Sequence, residues 1–490
     1  GVCMTPVNEV TSEGLPSFYI RDIPPISRQG FEIVRPEIYF GERTDSYILV
    51  NTDQQEFDFP RGDRNVYTNY SGSGGIVLDS IFKRFIYAVK FSDLKILIST
   101  LIKPESRLLY DRSIMQIVSK IAPFIAFDRD PYVVVTESGR MVWMLDGYTV
   151  SDRFPYSEPF QRGGLNYIRN SVKVTVDAYN GATNFYVADK KDPIIQTLSA
   201  IYSGMFKSFD RMPLELKTHI RYPKDLFSVQ ANMFRTYHMT DTQVFYNRED
   251  LWAIPQETYE ESEQTMEAYY MVTRLPQEKK DSFILLLPFT PTNKHNMISW
   301  LSAKCDLDDY GKLNVYKFPK KRMIYGPMQI ESRIDQDTEI SQKLTLWGQV
   351  GSRVIRGNLM VVPIEDSLIY VEPIYLQATQ SKLPELKRTI FAYDDKIVMG
   401  KDLDDAISKL FDEKRDEKRS ELDSQEELFH GSRDTLSSLV DRLIGEYSNM
   451  KKALKETNWS EFGKKMTRVD KLFTRLSATQ DKAQPSPVSK

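Results

Sequence analysis

The sequence lacks a long apolar run. Its longest strongly apolar stretch is residues 283–289, whereas a helix that crosses a bilayer needs about 20 mostly apolar residues. The first residues also lack the basic and apolar pattern of a signal peptide. Because the chain begins at Gly1 rather than Met, we expect it to be processed or excised from something longer.

Cysteine and histidine are scarce, and the common catalytic motifs are absent. Two cysteines, Cys3 and Cys305, do not define a disulfide framework, and the sequence leaves open whether they pair. The four histidines include no His-Glu-x-x-His pattern. No Gly-x-Ser-x-Gly elbow and no Gly-Lys-Ser/Thr phosphate loop occur either. No motif therefore assigns a catalytic residue.

The chain has little excess charge. It carries 65 basic and 68 acidic residues, for a net charge of −3. Nucleic-acid binding calls for a clustered basic surface, so this balance argues against DNA or RNA as a partner. Apolar residues make up 41% and charged residues 27%, as in ordinary globular proteins. Aromatic residues reach 12%, which favours strands.

Strand signals dominate the pattern, and helical signals flank them. The clearest hairpin is residues 172–187, where Val residues alternate with polar ones and Asn180-Gly181 tolerates positive φ at both turn positions. Strands are predicted at 46–51, 131–135, 141–145, 269–274, 282–287, 313–318, 354–364, 367–375 and 388–392. Helices are predicted at 78–91, 111–122, 194–206 and 223–235. Residues 255–267 are predicted to form an acidic exposed loop.

Recurrent hairpin turns without regular βαβ alternation predict an α+β protein with mainly antiparallel sheets and flanking helices. Residues 1–400 form this body, which is long enough to divide internally. Residues 401–430 are highly charged and predict an exposed helix or linker. Apolar residues at helical spacing predict a helical hairpin over 431–478, and residues 479–490 are predicted to be a disordered tail.

Two acidic clusters are candidate calcium ligands. Residues 306–311 match the first half of a calcium loop through Asp306 and Asp308, but Lys317 stands where a bidentate Glu belongs. Asp335, Asp337 and Glu339 alternate, and on a strand they point to one face. The competing interpretation is a solvated turn, or an ion pair in which Arg333 neutralises the second cluster.

Acids and aromatic residues are also concentrated between residues 128 and 158. Two carboxylates at a set separation hydrolyse glycosides, and aromatic faces stack on sugar rings. These residues are therefore candidates for binding or hydrolysing a carbohydrate, although such residues are common in any chain. The candidates are Asp128, Asp130, Trp143, Asp146, Asp152 and Glu158.

The predicted helix at 78–91 carries Lys83, Arg84 and Lys90 beside an apolar stripe. Such a helix can lie on a membrane surface. The ordinary interpretation is that the stripe faces the protein core.

Several segments resemble a known family, uncharacterised protein family 0182 (UPF0182). The longest are residues 166–173 (Asn-Tyr-Ile-Arg-Asn-Ser-Val-Lys) and 325–337 (Tyr-Gly-Pro-Met-Gln-Ile-Glu-Ser-Arg-Ile-Asp-Gln-Asp). The others are residues 5–16, 35–42, 128–132, 151–157 and 458–463. The resemblance covers nearly the whole chain.

The resemblance implies a cellular location rather than an activity. Family members look like multi-pass membrane proteins of bacteria and archaea, with membrane helices first and a large extracytoplasmic part after. This chain resembles that later part, so we expect it on the extracytoplasmic side of the cell membrane or released from it. Its link to the membrane would be an N-terminal transmembrane region missing here.

Three functions stay open at this point. The leading one is a non-enzymatic envelope module that binds a partner protein, a surface polymer or its own copies. The second is a carbohydrate-active or other hydrolytic enzyme that uses the acids near residues 128–158. The third is an accessory domain of a membrane transporter.

Overall fold

The structure, a computed structural model, describes most of the chain. It covers residues 2–410 except 8, 29, 31, 161–163, 261, 320, 350, 365–366 and 381–382, together with 443–449, 451, 465–466 and 469. The chain divides into two units, residues 1–410 and 411–490.

The N-terminal part of the first unit consists of short antiparallel pairings around one helical hairpin. Its elements are β1 (Ile20–Arg21), β2 (Ile26–Ser27), β3 (Ile48–Val50), β4 (Glu56–Arg61), β5 (Arg64–Thr68), β6 (Ile76–Val77), α1 (Ile81–Phe91), α2 (Lys95–Ile98) and β7 (Arg107–Leu109). The Ser80 side chain caps the start of α1, and Ser92 ends it in the left-handed conformation.

The first large sheet follows, with strand order β13-β12-β11-β10-β8 and with β9 also paired to β10. Its elements are α3 (Ile114–Ile121), β8 (Ala126–Phe127), β9 (Tyr132–Val135), β10 (Met141–Ser151), β11 (Tyr167–Asp177), β12 (Thr183–Val187), α4 (Pro193–Ile201) and β13 (Phe206–Ser208). Only the β12–β13 pairing in this sheet is parallel.

Three helices lead to the second large sheet, whose order is β14-β18-β19-β20 with β17 also paired to β18. The helices are α5 (Leu214–Lys217), α6 (Lys224–Tyr237) and α7 (Thr242–Asn247). The strands are β14 (Trp252–Ala253), β15 (Gln256–Tyr259), β16 (Ser262–Thr265), β17 (Tyr269–Arg274), β18 (Asp281–Pro291), β19 (Ser299–Lys304) and β20 (Leu313–Lys317), of which β15 and β16 form a separate hairpin.

A third sheet follows two consecutive helices, and residues 403–410 after it are helical. The helices are α8 (Pro327–Gln336) and α9 (Thr338–Trp347). The strands are β21 (Ser352–Arg356), β22 (Met360–Ile364), β23 (Ser367–Ala378), β24 (Glu385–Tyr393) and β25 (Lys396–Gly400), in the order β21-β23-β24-β25 with β22 beside β23. All pairings in the second and third sheets are antiparallel.

The second sheet lies between two hydrophobic cores, and this explains why residues 283–289 are the most apolar run of the sequence. Leu285, Leu287 and Phe289 of β18 share a core with α6 and the first sheet. Ile284 and Leu286 face the other way, into a core with α8, α9 and the third sheet. Because both faces of β18 are covered, the strand is apolar at almost every position instead of alternating.

The α+β class with mainly antiparallel sheets is confirmed. The predicted helices correspond to α1, α3, α4 and α6, and most predicted strands match within a few residues. The hairpin at Asn180-Gly181 joins β11 and β12, but only Gly181 has a positive φ, of 70°. The turn spans residues 178–182, and within it the Asp177 carboxylate accepts hydrogen bonds from the amides of Tyr179 and Asn180.

Three local predictions are wrong. Residues 255–267 form the β15–β16 hairpin rather than an exposed loop, and Glu257 within it is 1% exposed. The predicted strand at 354–364 is two strands, β21 and β22. The acids at 335–339 do not alternate along a strand, because α8 ends at Gln336 and α9 begins at Thr338.

The second unit is described at few positions. Residues 443–449, 451, 465–466 and 469 are helical, and the Lys465 ammonium lies 3.4 Å from the Glu446 carboxylate. The rest of the predicted hairpin, the charged segment after residue 410 and the tail lie outside the described residues. In the described part of the chain, no helix combines the length and the apolar character needed to cross a membrane.

Candidate functional site

A buried ion pair lies on the face of the first sheet that carries the polar residues alternating with Val in β11. Lys173 of β11 is directly opposite Asp146 of β10, and its ammonium donates to the Asp146 carboxylate. The two side chains are 3% and 5% exposed. This face is covered rather than solvated, so the alternation of Val and polar residues in β11 marks two buried faces.

A cavity of about 500 Å³ opens next to this pair. Its polar lining includes Asn170, Lys173 and Gln230. Its aromatic walls are Phe209, Tyr222 and Tyr310, supplied by the segment between β13 and α6 and by the turn between β19 and β20. Ala188 and Asp189, which follow β12, also line it, so the site is assembled from four separate parts of the chain.

Hydrogen bonds fix the polar groups around the cavity. The Asp146 carboxylate also accepts from the Asn170 amide at 2.9 Å. The Lys173 ammonium donates to the Tyr310 hydroxyl at 2.5 Å and lies 4.7 Å from the centre of that ring. Burial, with the nearby Asp146 carboxylate, raises the pKa of Tyr310 well above its ordinary value, so this hydroxyl stays neutral.

The opposite wall presents aromatic faces and an amide. The Tyr222 hydroxyl donates to the Gln230 side-chain oxygen at 2.8 Å, and the Tyr222 and Tyr310 ring centres are 5.7 Å apart. Arg169 and Asp189 also line the cavity and pair with each other at 3.4 Å, with side chains 41% and 34% exposed. Positive and negative groups thus balance around the cavity, which suits a neutral ligand with both hydroxyl groups and an apolar face.

The predicted acid Asp128 holds α6 in place beside this cavity. Its carboxylate accepts from the Tyr148 hydroxyl at 2.5 Å, from the amide of Asp130 at 3.0 Å and from the amide of Asp225 at 3.3 Å. Asp225 lies in the first turn of α6, where helix amides lack partners within the helix. Burial raises the pKa of Asp128.

Two further ion pairs stabilise the same contact between the first sheet and α6. The Asp225 carboxylate binds the Arg129 guanidinium at 2.7 Å, and Asp130 binds Arg221 at 2.7 Å. The Arg221 guanidinium also lies 4.1 Å from the centre of the Tyr132 ring. Residues 128–132 therefore join the first sheet to the helix that forms one wall of the cavity.

The remaining predicted site residues lie apart from the cavity. Trp143 belongs to the core on the other face of the sheet, where its indole N–H donates to the Phe40 carbonyl. Asp152 is exposed beside Arg153. Glu158 is exposed and accepts from the Tyr237 hydroxyl at 2.8 Å. The structure thus brings Asp128, Asp130 and Asp146 to one junction and separates the other three.

Four of the five acids proposed as calcium ligands have protein partners. Asp306 accepts from the amide of Phe283 at 2.9 Å, and Asp308 belongs to a short 3-10 turn, Leu307–Asp309. Asp337 caps α9 by accepting from the amide of Ile340, and Glu339 pairs with Lys343. Asp335 pairs with Arg356 at 2.7 Å.

Arg333 is not the partner of the second acidic cluster, because it donates to the carbonyls of Asp394 and Asp395. No three His, Cys, Asp or Glu side chains come together as a metal site within the residues that the structure describes. Calcium binding stays a prediction. Both cysteines are free thiols, Cys3 exposed and Cys305 buried.

Sequence reasoning missed Lys173, Asn170, Tyr222, Gln230 and Tyr310. One signal pointed indirectly to the first of them, since Asp146, the residue opposite Lys173, is a charged residue inside the mainly apolar strand β10. A charge in such a position is buried only when a partner neutralises it. The other residues come from segments whose proximity depends on how the sheets pack.

Comparison with known proteins gives consistent matches. The family model described as Uncharacterised protein family (UPF0182) matches residues 1–347. A UPF0182 protein of Desulforamulus reducens is 49% identical over 483 residues, covering 97% of this chain and 52% of that protein. A UPF0182 protein of Sulfurovum sp. is 46% identical over 491 residues, covering 99% and 53%.

A UPF0182 protein of Methanospirillum hungatei is 45% identical over 481 residues, covering 97% of this chain and 53% of that protein. The chain therefore spans about half the length of the curated relatives it matches. No solved structure matches the chain.

Proposed function

The chain belongs to the uncharacterised protein family UPF0182, and from that premise we propose that it is a non-enzymatic binding module of the cell envelope. Its ligand is a saccharide unit of a surface polymer, held in the cavity beside Lys173. The observation that carries the proposal is the lining of this cavity. In it, the ring faces of tyrosines lie near side-chain amides and near the buried Lys173 ammonium, whose charge Asp146 neutralises.

The chemistry of the lining favours a sugar over other ligands. Aromatic rings cover the apolar face of a pyranose, while amide and hydroxyl groups bond its hydroxyls. Tyr222, Tyr310, Asn170 and Gln230 supply these groups. The charges of Lys173 and Arg169 are each matched by an acid, so an anionic ligand gains little.

Binding is a better account of the site than hydrolysis. A glycosidase needs two carboxyl groups that both face the sugar. Asp146 is bound by Lys173 and Asn170, and Asp128 by Tyr148 and the start of α6, so each already has a structural role. Among the residues that the structure describes, no contact gives comparable support to the hydrolase or the transporter-accessory alternative.

The experiment is an array of neutral and acidic bacterial-type oligosaccharides probed with the full chain. We expect binding to a subset of neutral glycans. Arg169→Ala, which opens the ion pair in the cavity lining, should weaken this binding severalfold without changing the fold. Arg274→Ala is the matched control, because Arg274 forms a comparable exposed pair with Asp281 outside the cavity.

The proposal fails if no glycan binds, or if the Arg169 and Arg274 variants lose binding equally. Release of reducing ends from a bound glycan would instead support the hydrolase alternative. These outcomes are distinguishable in one set of samples.

The proposed location is the extracytoplasmic side of the cell membrane, and Cys3 offers a direct test. Its thiol is exposed whereas Cys305 is buried, so a thiol reagent should modify one site in the folded protein. For this test, intact cells produce a full-length family member that carries a cysteine at the position of Cys3. A membrane-impermeant maleimide should label that cysteine. Labelling only after lysis would contradict the proposed location.

A further inference from the structure

The helical hairpin formed by α1 and α2 exposes an unusual number of large apolar side chains. In α1 these are Ile81, Phe82, Phe85, Ile86 and Val89, which are 43% to 68% exposed. Leu94 and Ile98, at α2, are each 71% exposed, and Leu101 follows at 44%. Single exposed apolar residues are normal on proteins, but eight within residues 81–101 are not.

The exposed stripe is not needed to hold the hairpin in place. At 3.6 residues per turn, the exposed apolar residues of α1 span an arc of about 140°. The other side of α1 packs through Ala88 into a core with Leu78, Ile96, Ile102 and Leu108. The sequence predicted that an apolar stripe would face this core, whereas most of the apolar surface of α1 faces outward.

Hydrogen bonds fix the orientation of the hairpin. The Arg84 guanidinium donates to the Ile102 carbonyl at 2.6 Å, and Asp93 accepts from the Tyr47 hydroxyl and from the amide of Lys95. The stripe is therefore presented outward by a well-anchored element. An outward apolar face of this kind needs an occupant.

The charges of the hairpin indicate which occupant fits. Residues 79–98 contain four basic residues, Lys83, Arg84, Lys90 and Lys95, and two acids, Asp93 and Asp79, of which Asp79 pairs with Lys83 at 2.8 Å. By helical geometry, Lys83 and Lys90 lie together along one edge of the exposed stripe. The Lys90 ammonium lies 3.9 Å from the centre of the Tyr110 ring, and Lys95 is exposed.

We propose that the α1–α2 hairpin docks on an anionic lipid bilayer, with its apolar stripe in the interface and its lysines at the headgroups. An apolar face with phenylalanines beside a basic edge is the pattern of interfacial membrane helices. A second copy of the chain fits less well, because a symmetric contact between two hairpins would bring the same lysines together.

The test is vesicle flotation with the full chain. One set of vesicles contains phosphatidylcholine with phosphatidylglycerol, and the other contains phosphatidylcholine alone. We expect flotation with the anionic vesicles and its loss at high salt, because salt screens exposed charges. Phe82→Ser and Phe85→Ser should each reduce the partition coefficient by about tenfold, since each removes a large apolar side chain from the interface.

Charge and control variants separate lipid docking from general stickiness. Lys83→Gln and Lys95→Gln should each reduce binding to anionic vesicles by about fivefold and leave neutral vesicles unaffected. Phe57→Ser is the matched control, because Phe57 is 59% exposed on β4, outside the hairpin. It should bind as the unchanged protein does, and thermal unfolding should show that all variants remain folded.

Failure of the chain to float with anionic vesicles would overturn the proposal, as would equal loss in the Phe57 and Phe85 variants. Sedimentation without lipid tests the competing possibility, in which a second copy of the chain binds the apolar stripe. A dimer that Phe85→Ser dissociates would assign the stripe to self-association and would also overturn the proposal.

Discussion

At the scale of single residues, buried charges have the largest predicted effects. Lys173→Met removes the cation beside Asp146 and leaves a carboxylate buried without its partner. Breaking such a buried pair costs about 3–5 kcal/mol. The urea midpoint should fall accordingly, and the double variant Lys173→Met with Asp146→Leu should recover much of the loss.

Lys190→Met is the control for this prediction, because Lys190 and Asp210 form an exposed pair and its loss should barely change the urea midpoint. A Lys173→Met protein as stable as the unchanged one would contradict the placement of the pair.

A second buried charge cluster predicts a dependence of stability on pH. Arg356 donates to both Glu331 and Glu372, which are 1% and 0% exposed. Burial, with the neighbouring Glu372, raises the pKa of Glu331 to about 8 from 4.5. The folded protein therefore binds this proton more tightly than the unfolded chain does.

The stability that this proton contributes is complete below pH 4.5 and is lost as the pH rises through about 8. Glu331→Gln should flatten the fall in the urea midpoint across that window. Asp335→Asn should leave it in place, because Asp335 binds the same guanidinium but is 58% exposed. An unchanged pH profile in Glu331→Gln would show that another group titrates.

At the scale of elements, local signals predicted helices better than turns. Local sequence patterns located α3, α4 and α6, because such signals lie within one segment. The break between α8 and α9 was missed, because alternating acids suggested a strand. The overlooked signals were Pro327 in the first turn of α8 and Asp337 as the cap of α9.

The cap of α9 gives a prediction that also tests calcium binding. Asp337→Ala removes the hydrogen bond to the amide of Ile340 and should cost about 1 kcal/mol. As a cap, Asp337 contributes equally with a chelator and with millimolar calcium, so the loss in melting temperature should be the same in both. A loss seen only with calcium would instead support the predicted metal site.

At the scale of the whole molecule, the sequence predicted the class but not the layering. Hairpin signals were sufficient for antiparallel sheets, since each depends on neighbouring residues. Whether a polar face is solvated depends on what packs against it. Lys173 alternates with Val residues, as a solvent-facing residue of a strand would. It is nevertheless buried, because the second sheet and Tyr310 pack over it. For the same reason the cavity was not predictable, because its lining comes from four separate segments.

The most direct test of the proposed sugar-binding site is hydrogen–deuterium exchange of the full chain, with and without the oligosaccharide that binds best on the array. A sugar bound in this cavity predicts slower exchange in the four separate segments that line it, within residues 168–173, 188–189, 209–230 and 307–311. The α1–α2 hairpin should exchange unchanged. Protection elsewhere with none at these segments, or no protection by any bound glycan, would contradict the proposed site.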